Sequence, residues 1–218
     1  CHFLLLLGGI IMKKFSKFDH LVINSKDEST FFQLGNGGEI KYTFLNNSYE
    51  PIETLTLFDD NVLKYSIDID KNNRIHLISL MKSGDLNYSI YSQNNWSNSI
   101  IARFDFRSNI YSDIDILVEE DSINIIYAYA NLINSKLWTI QHVVGNNQNW
   151  NQYNITKFVS DRISTPFIVD KDSFGTIHLL YRSMEGDNFQ IYHLFYNSFT
   201  QKWNPVPQRL ATSNTSIV

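Results

Sequence analysis

The sequence predicts an all-β protein, a β-propeller with four recognisable blades of four strands each. Three observations point there. A unit of roughly 46 to 54 residues recurs four times along the 218-residue chain, which is the period of a propeller blade. Apolar and polar residues alternate with a period of two, and turn residues interrupt the alternation about every 8 to 12 residues. No stretch carries the capped apolar pattern of period 3.6 that a helix needs.

The units begin at Leu21, Ser66, Ile114 and Pro166. They divide the chain into repeats over about 20–64, 65–111, 112–164 and 165–218, after an N-terminal segment 1–19. Each first strand is short and apolar and ends in a polar turn: Ser25-Lys26-Asp27, Asp70-Lys71-Asn72, Glu119-Glu120-Asp121 and Asp170-Lys171-Asp172. The second strand alternates, as in Thr30-Phe31-Phe32, Ile75-His76-Leu77, Ile123-Asn124-Ile125 and Ile177-His178-Leu179. Three units then carry a glycine turn suited to a hairpin, at Gly37-Gly38, Gly84-Asp85 and Gly186-Asp187-Asn188. Tyr42, Tyr88, Trp138 and Tyr192 align in the third strand. Tyr49, Trp96, Trp150 and Trp203 close a polar turn and open the fourth. A β-sandwich would not repeat its sequence four times, and solenoid coils are usually shorter.

Both ends invite expectations. The terminal ATSNTSIV resembles the connectors SNIYSDIDI and DRISTPFIV that precede the third and fourth units. A fifth first strand would therefore begin near Val218, and we expect the ring to be cut from a larger one. The alternative is four blades closed by a strand from the tail. A truncated arc would leave blade edges open to self-association. Residues 1–12 read CHFLLLLGGIIM, an apolar run too short to span a bilayer. Lys13 and Lys14 follow the run, the reverse of a secretory signal. We expect Met12 to be the natural start and residues 1–11 to be translated upstream sequence, which makes the cytoplasm the default compartment.

Composition bounds the function. The chain is 43% hydrophobic, enough for a core and too apolar for disorder. A net charge of −4 argues against nucleic acid and anionic membrane as partners, since both need a basic face. The only cysteine is Cys1, so neither an intrachain disulfide nor a thiolate metal cluster can form. The 24 Asn fit the codon bias of an AT-rich genome.

Few residues could carry chemistry. Trp96, Trp150 and Trp203, with Tyr88 and Tyr192, are the candidate ligand-binding residues, because an aromatic face packs well on the C–H face of a sugar. The competing explanation is that each Trp wedges between blades, since a residue present in every blade serves what every blade needs. His76 and His178 match in position and read as architecture; alternate blades cannot bring together the three or four ligands of a metal site. Asp68 with Asp70, and Asp170 with Asp172, lack the distal bidentate Glu of a calcium loop. The arginines, at 74, 103, 107, 162, 182 and 209, share no repeat position and mark no cluster for a substrate carboxylate. No phosphate loop or nucleophile elbow occurs, so neither a catalytic residue nor a cofactor is expected. The sequons at Asn46, Asn87, Asn95, Asn154 and Asn214 are expected by chance in so Asn-rich a chain.

The segments DKNNRIHLI and DKDSFGTIHLLY, followed by YSQNNWSNSI and YNSFTQKWNPVPQRL, resemble bacterial repeats of the sialidase-like and lectin-like propellers. There an Asp-x-x-Gly-x-Ile-His-Val pattern leads one strand, and a polar turn ending in Trp leads the outer one. The Ser-x-Asp-x-Gly-x-x-Trp turn of neuraminidases is not intact: residues 92–96 and 145–150 lack its Asp. The resemblance implies a propeller that binds carbohydrate or cell-surface polymer without cleaving it. A structural or protein-interaction scaffold and a degenerate sialidase-like glycoside hydrolase are the alternatives.

Overall fold

The computed structural model describes residues 19–103, 112–119, 122–146, 149–161 and 165–212. The expected start at Met12, the Glu120-Asp121 half of the third acidic turn, the sequon at Asn214 and the tail toward Val218 lie outside the described residues. Four antiparallel sheets account for the strands described. Blade 1 holds β1 (His20–Ile23), β2 (Ser29–Leu34), β3 (Ile40–Leu45) and β4 (Pro51–Phe58) in that order. Blade 2 holds β5 (Val62–Ile69), β6 (Ile75–Met81), β7 (Asp85–Ser92) and β8 (Asn95–Arg103). Blade 3 holds β9 (Ser112–Val118), β10 (Ile123–Ala130), β11 (Leu137–Gly145) and β12 (Trp150–Val159). Blade 4 holds β13 (Phe167–Lys171), β14 (Ile177–Glu185) and β15 (Asn188–Asn197), with its outer strand in two pieces, β16 (Lys202–Trp203) and β17 (Gln208–Thr212). Pro205 and Pro207 stand between those pieces, where neither can donate a ladder hydrogen bond.

One turn recurs at four hairpins. Asn24, Asn46, Asp70 and Asp172 each use Oδ1 to accept the backbone N–H groups two and four residues on, at 2.8 to 3.0 Å. The residue three on takes a left-handed backbone: Asp27 (φ 61°), Tyr49 (φ 60°), Asn73 (φ 61°) and Gly175 (φ 77°). This geometry explains the Asp-x-x-Gly pattern: the acid caps the turn, and glycine suits its left-handed position. Where Asn73 replaces glycine, its Oδ1 accepts the N–H of Ser25 at 2.9 Å and so ties the turn of blade 2 to that of blade 1.

Blades 1, 2 and 3 each pack their leading face on the next. Apolar clusters centred on Phe32 and Leu77, on Ile78 and Ile125, and on Ile126 and Leu179 fill the three successive interfaces. Strand register identifies the equivalent residues. Phe32, Ile78, Ile126 and Leu180 pair with Tyr42, Tyr88, His142 and His193, respectively. Two positions therefore differ from the sequence alignment. Trp138 lies further along the same face of blade 3, paired with Ala130. Tyr192 pairs with Tyr181 on the opposite face of blade 4. A shift of one residue turns a strand side chain to the other face, and a pattern of aromatic residues on both faces conceals such a shift.

Candidate functional site between the first two blades

The turns described above frame a cleft of about 830 Å³ between blades 1 and 2. Blade 1 contributes Asn24, Lys26 and Glu28 from its first turn, and Phe44, Ile52 and Glu53 from β3 and β4. Blade 2 contributes Asn72, Asn73 and Arg74, then Tyr91, Gln93 and Asn94 from the β7–β8 hairpin. That hairpin has positive φ at both central residues, Gln93 (53°) and Asn94 (60°), the mark of a type I′ turn built without glycine.

The cleft has an aromatic side and a polar side. Tyr91 packs near Phe44 with ring centroids 6.2 Å apart. Behind them Trp96 sits 5.2 Å from Tyr91 and 5.8 Å from Tyr42. Burial raises the Tyr91 phenol above its ordinary value, and Tyr42 and Glu53 add to the shift, so it enters the cleft as a neutral hydroxyl. On the polar side Arg74 Nε donates to Asp70 Oδ2 at 2.5 Å. His76 Nε2 lies 3.3 Å from the same oxygen. Burial alone would raise the Asp70 pKa, but the hydrogen bonds from Arg74 and His76 outweigh it and hold the carboxylate below its usual range. His76 is itself buried, which lowers its pKa, and its Nδ1 accepts the Tyr88 hydroxyl at 2.6 Å. Asp70 thus serves the turn through Oδ1 and the histidine through Oδ2. A carboxylate can do both; the amide of Asn24, which faces no histidine, donates instead to Glu28 at 2.6 Å.

The five candidate residues sit at blade interfaces. Trp96 of blade 2 packs edge-on against Phe32 and Tyr42 of blade 1. Trp150 of blade 3 meets Tyr88 of blade 2 at 5.4 Å. Trp203 of blade 4 meets His142 of blade 3 at 5.7 Å, and its Nε1 donates to His142 Nδ1 at 3.2 Å. Tyr88 is only 3% exposed. Tyr192 stacks on Tyr181 at 5.4 Å beside the cluster between blades 3 and 4. The structure gathers none of the five in one place, and only Trp96 adjoins the cleft. Of the residues that do line it, Asn24 and Tyr91 stand at repeat positions, matched by Asp70 and Asp172 and by Tyr196, whereas Arg74 has no counterpart in the other blades. The signal available was the polar turn preceding Ile-His, whose partner across the interface could not be read.

The four sheets are the blades of a propeller. The fold is similar to the BP39L lectin from Burkholderia pseudomallei, with TM-score 0.61 and 10% identity over 85% of this chain and 52% of that one. It is similar to the Aleuria aurantia lectin solved with Fucα1-6GlcNAc, with TM-score 0.53 and 10% identity over 89% and 62%. It also resembles the Bombyx mori GH32 β-fructofuranosidase BmSUC1, with TM-score 0.51 and 10% identity over 88% and 52%. The chain thus spans about half to three fifths of the length of these proteins. No protein-family model and no curated protein matches the sequence.

Proposed function

We propose that the protein is a non-enzymatic carbohydrate-binding propeller and that the cleft between blades 1 and 2 is a saccharide site. The observation that carries this is the pairing of an aromatic side, Tyr91 with Phe44, and a rim of amides, carboxylates and Arg74 in one cleft. A pyranose presents the same two chemistries, an apolar C–H face and a ring of hydroxyls. The lectin neighbours add support at the level of fold. Trp96 supports the Tyr91 ring, whereas Trp150, Trp203, Tyr88 and Tyr192 serve other blade interfaces. A glycan array followed by calorimetry tests the proposal. Tyr91→Ala should weaken binding of any retained glycan roughly fivefold, the loss of about 1 kcal/mol of ring contact. No retained glycan would favour a protein-interaction scaffold, and release of reducing sugar would favour a hydrolase.

A further inference from the structure

The hairpin between β2 and β3 lies at the end of blade 1 away from the cleft, and it reads Gly35-Asn36-Gly37-Gly38-Glu39. Gly38 N donates to Gly35 O at 3.0 Å and Gly35 N to Glu39 O at 2.9 Å. These bonds close a turn with Asn36 and Gly37 at its two central positions. The Gly37 N–H takes part in neither and donates instead to Glu39 Oε2 at 3.0 Å. The carboxylate lies over the turn, where a Cβ at Gly35 or at Gly37 would collide with it. Two glycines thus make the room in which Glu39 reaches that N–H. The amides of Asn24 and Asn46 are held by Glu28 and Glu50 at 2.6 and 3.0 Å. That of Asn36 is exposed and hydrogen-bonds to none of the described residues. Asn36 is also the only asparagine of the chain that glycine follows.

We propose that Asn36 is a site of self-modification, at which Glu39 is the general base for attack of the Gly37 amide nitrogen on the Asn36 side-chain carbonyl. The attack closes a five-membered ring, and the glycine nitrogen meets no side chain of its own on the way. Glu39 takes the Gly37 N–H proton as the N–Cγ bond forms and passes it to the amide nitrogen of Asn36, which leaves as ammonia. Water then opens the succinimide. Opening at the side-chain carbonyl gives aspartate. Opening at the main-chain carbonyl gives isoaspartate, which routes the backbone through the side chain and lengthens it by one carbon. Gly38 is held against that change: it sits at φ 92°, and its carbonyl accepts Val62 N of blade 2 at 3.0 Å. A Cβ there would meet the Asn61 and Val62 backbone at 2.8 Å. Isoaspartate at position 36 therefore loosens the contact between this hairpin and blade 2.

The test is incubation of the full chain near neutral pH, followed by peptide mapping in a mass spectrometer and enzymatic methyl labelling of isoaspartate. Glu39→Gln is the decisive variant, because it keeps the hydrogen-bond acceptor but cannot take the proton. The native wild type should lose the Asn36 amide at least about tenfold faster than native Glu39→Gln. In concentrated urea, where the turn is gone, the two chains should react alike. Acetate added to native Glu39→Ala should restore part of the lost rate, a rescue that a purely structural role of the carboxylate would not show. The isoaspartyl chain, separated from its parent, should unfold at lower urea, and an unchanged midpoint would overturn the loosening of the hairpin. Equal rates in native wild type and Glu39→Gln would overturn the site itself. So would a Glu39→Ala chain whose rate acetate leaves unchanged.

Discussion

Blades 3 and 4 place homologous strands in different surroundings. In β10 every residue from Ile123 to Ala128 is buried, because blade 2 covers one face and blade 4 the other. In β14 burial alternates: Ile177, Leu179 and Tyr181 are buried against blade 3, while His178 and Leu180 are half-buried and Arg182 is exposed. The sequences agree. INIIYAYA is apolar almost throughout, and IHLLYRSME turns polar after its fifth residue. Within the described residues, β10 thus lies between two blades, and β14 meets a described blade on one face.

The contrast can be broken most directly at one register position. Ile126→Ala should cost about 3 kcal/mol in urea unfolding, since Ile126 is fully buried, and Leu180→Ala about 1 kcal/mol. Equal losses would mean that the leading face of blade 4 is as well covered as that of blade 3.

Buried titratable groups at the inner interfaces sharpen it next. Burial lowers the His142 pKa to about 4, and its partners Asn124 and Trp203 fit a neutral ring. The unfolded chain therefore takes up the proton first as pH falls. The stability held above about pH 6.5 is lost on the way to pH 4, by roughly 3 kcal/mol at most. Asp115 has the opposite sign. Burial pushes its pKa up to about 6, against the hydrogen bond from Ser66, so the stability it gives at low pH is lost as pH rises through 6. Thermal melts across pH 4–7 should show the two slopes offsetting each other. His142→Gln should leave a protein that weakens toward neutral pH, and Asp115→Asn one that weakens toward acid. Flat profiles in both variants would refute this assignment.

The smallest expected effect compares two caps. Asp70→Asn keeps the Oδ1 acceptor but sets an N–H donor against His76 Nε2 and against Arg74 Nε, forcing the other His76 tautomer, reversing its bond with Tyr88 and costing Arg74 its acceptor. A loss of about 2 kcal/mol is expected. Asp172→Asn makes the same change where water reaches both partners, and its midpoint in a denaturant melt should move less.

Much of the architecture was legible. The repeat period, the hairpin glycines and the Asp-x-x-Gly turns are local signals, and each marks a real hairpin or strand. Register was not. Tyr192 and His193 are adjacent, and only the pairing of Leu180 with His193 decides which faces the next blade. The cleft was less legible still. Tyr91 and Arg74 meet Phe44 and Asn24 through a blade interface, and the pairing of Asn73 with Ser25 spans 48 residues. A repeat pattern marks residues that recur, such as Tyr91 with Tyr196, but it does not show which of them meet across a blade interface.

The interrupted outer strand of blade 4 bears on solubility. A strand edge with a regular row of free amides can be extended by a strand from another molecule, the first step toward fibrils. β4, β8 and β12 are continuous over eight to ten residues, and each lies at the edge of its sheet. Between β16 and β17 an incoming strand would meet Pro205 and Pro207, which have no amide proton to share. Two prolines thus interrupt edge pairing at the outer strand of blade 4.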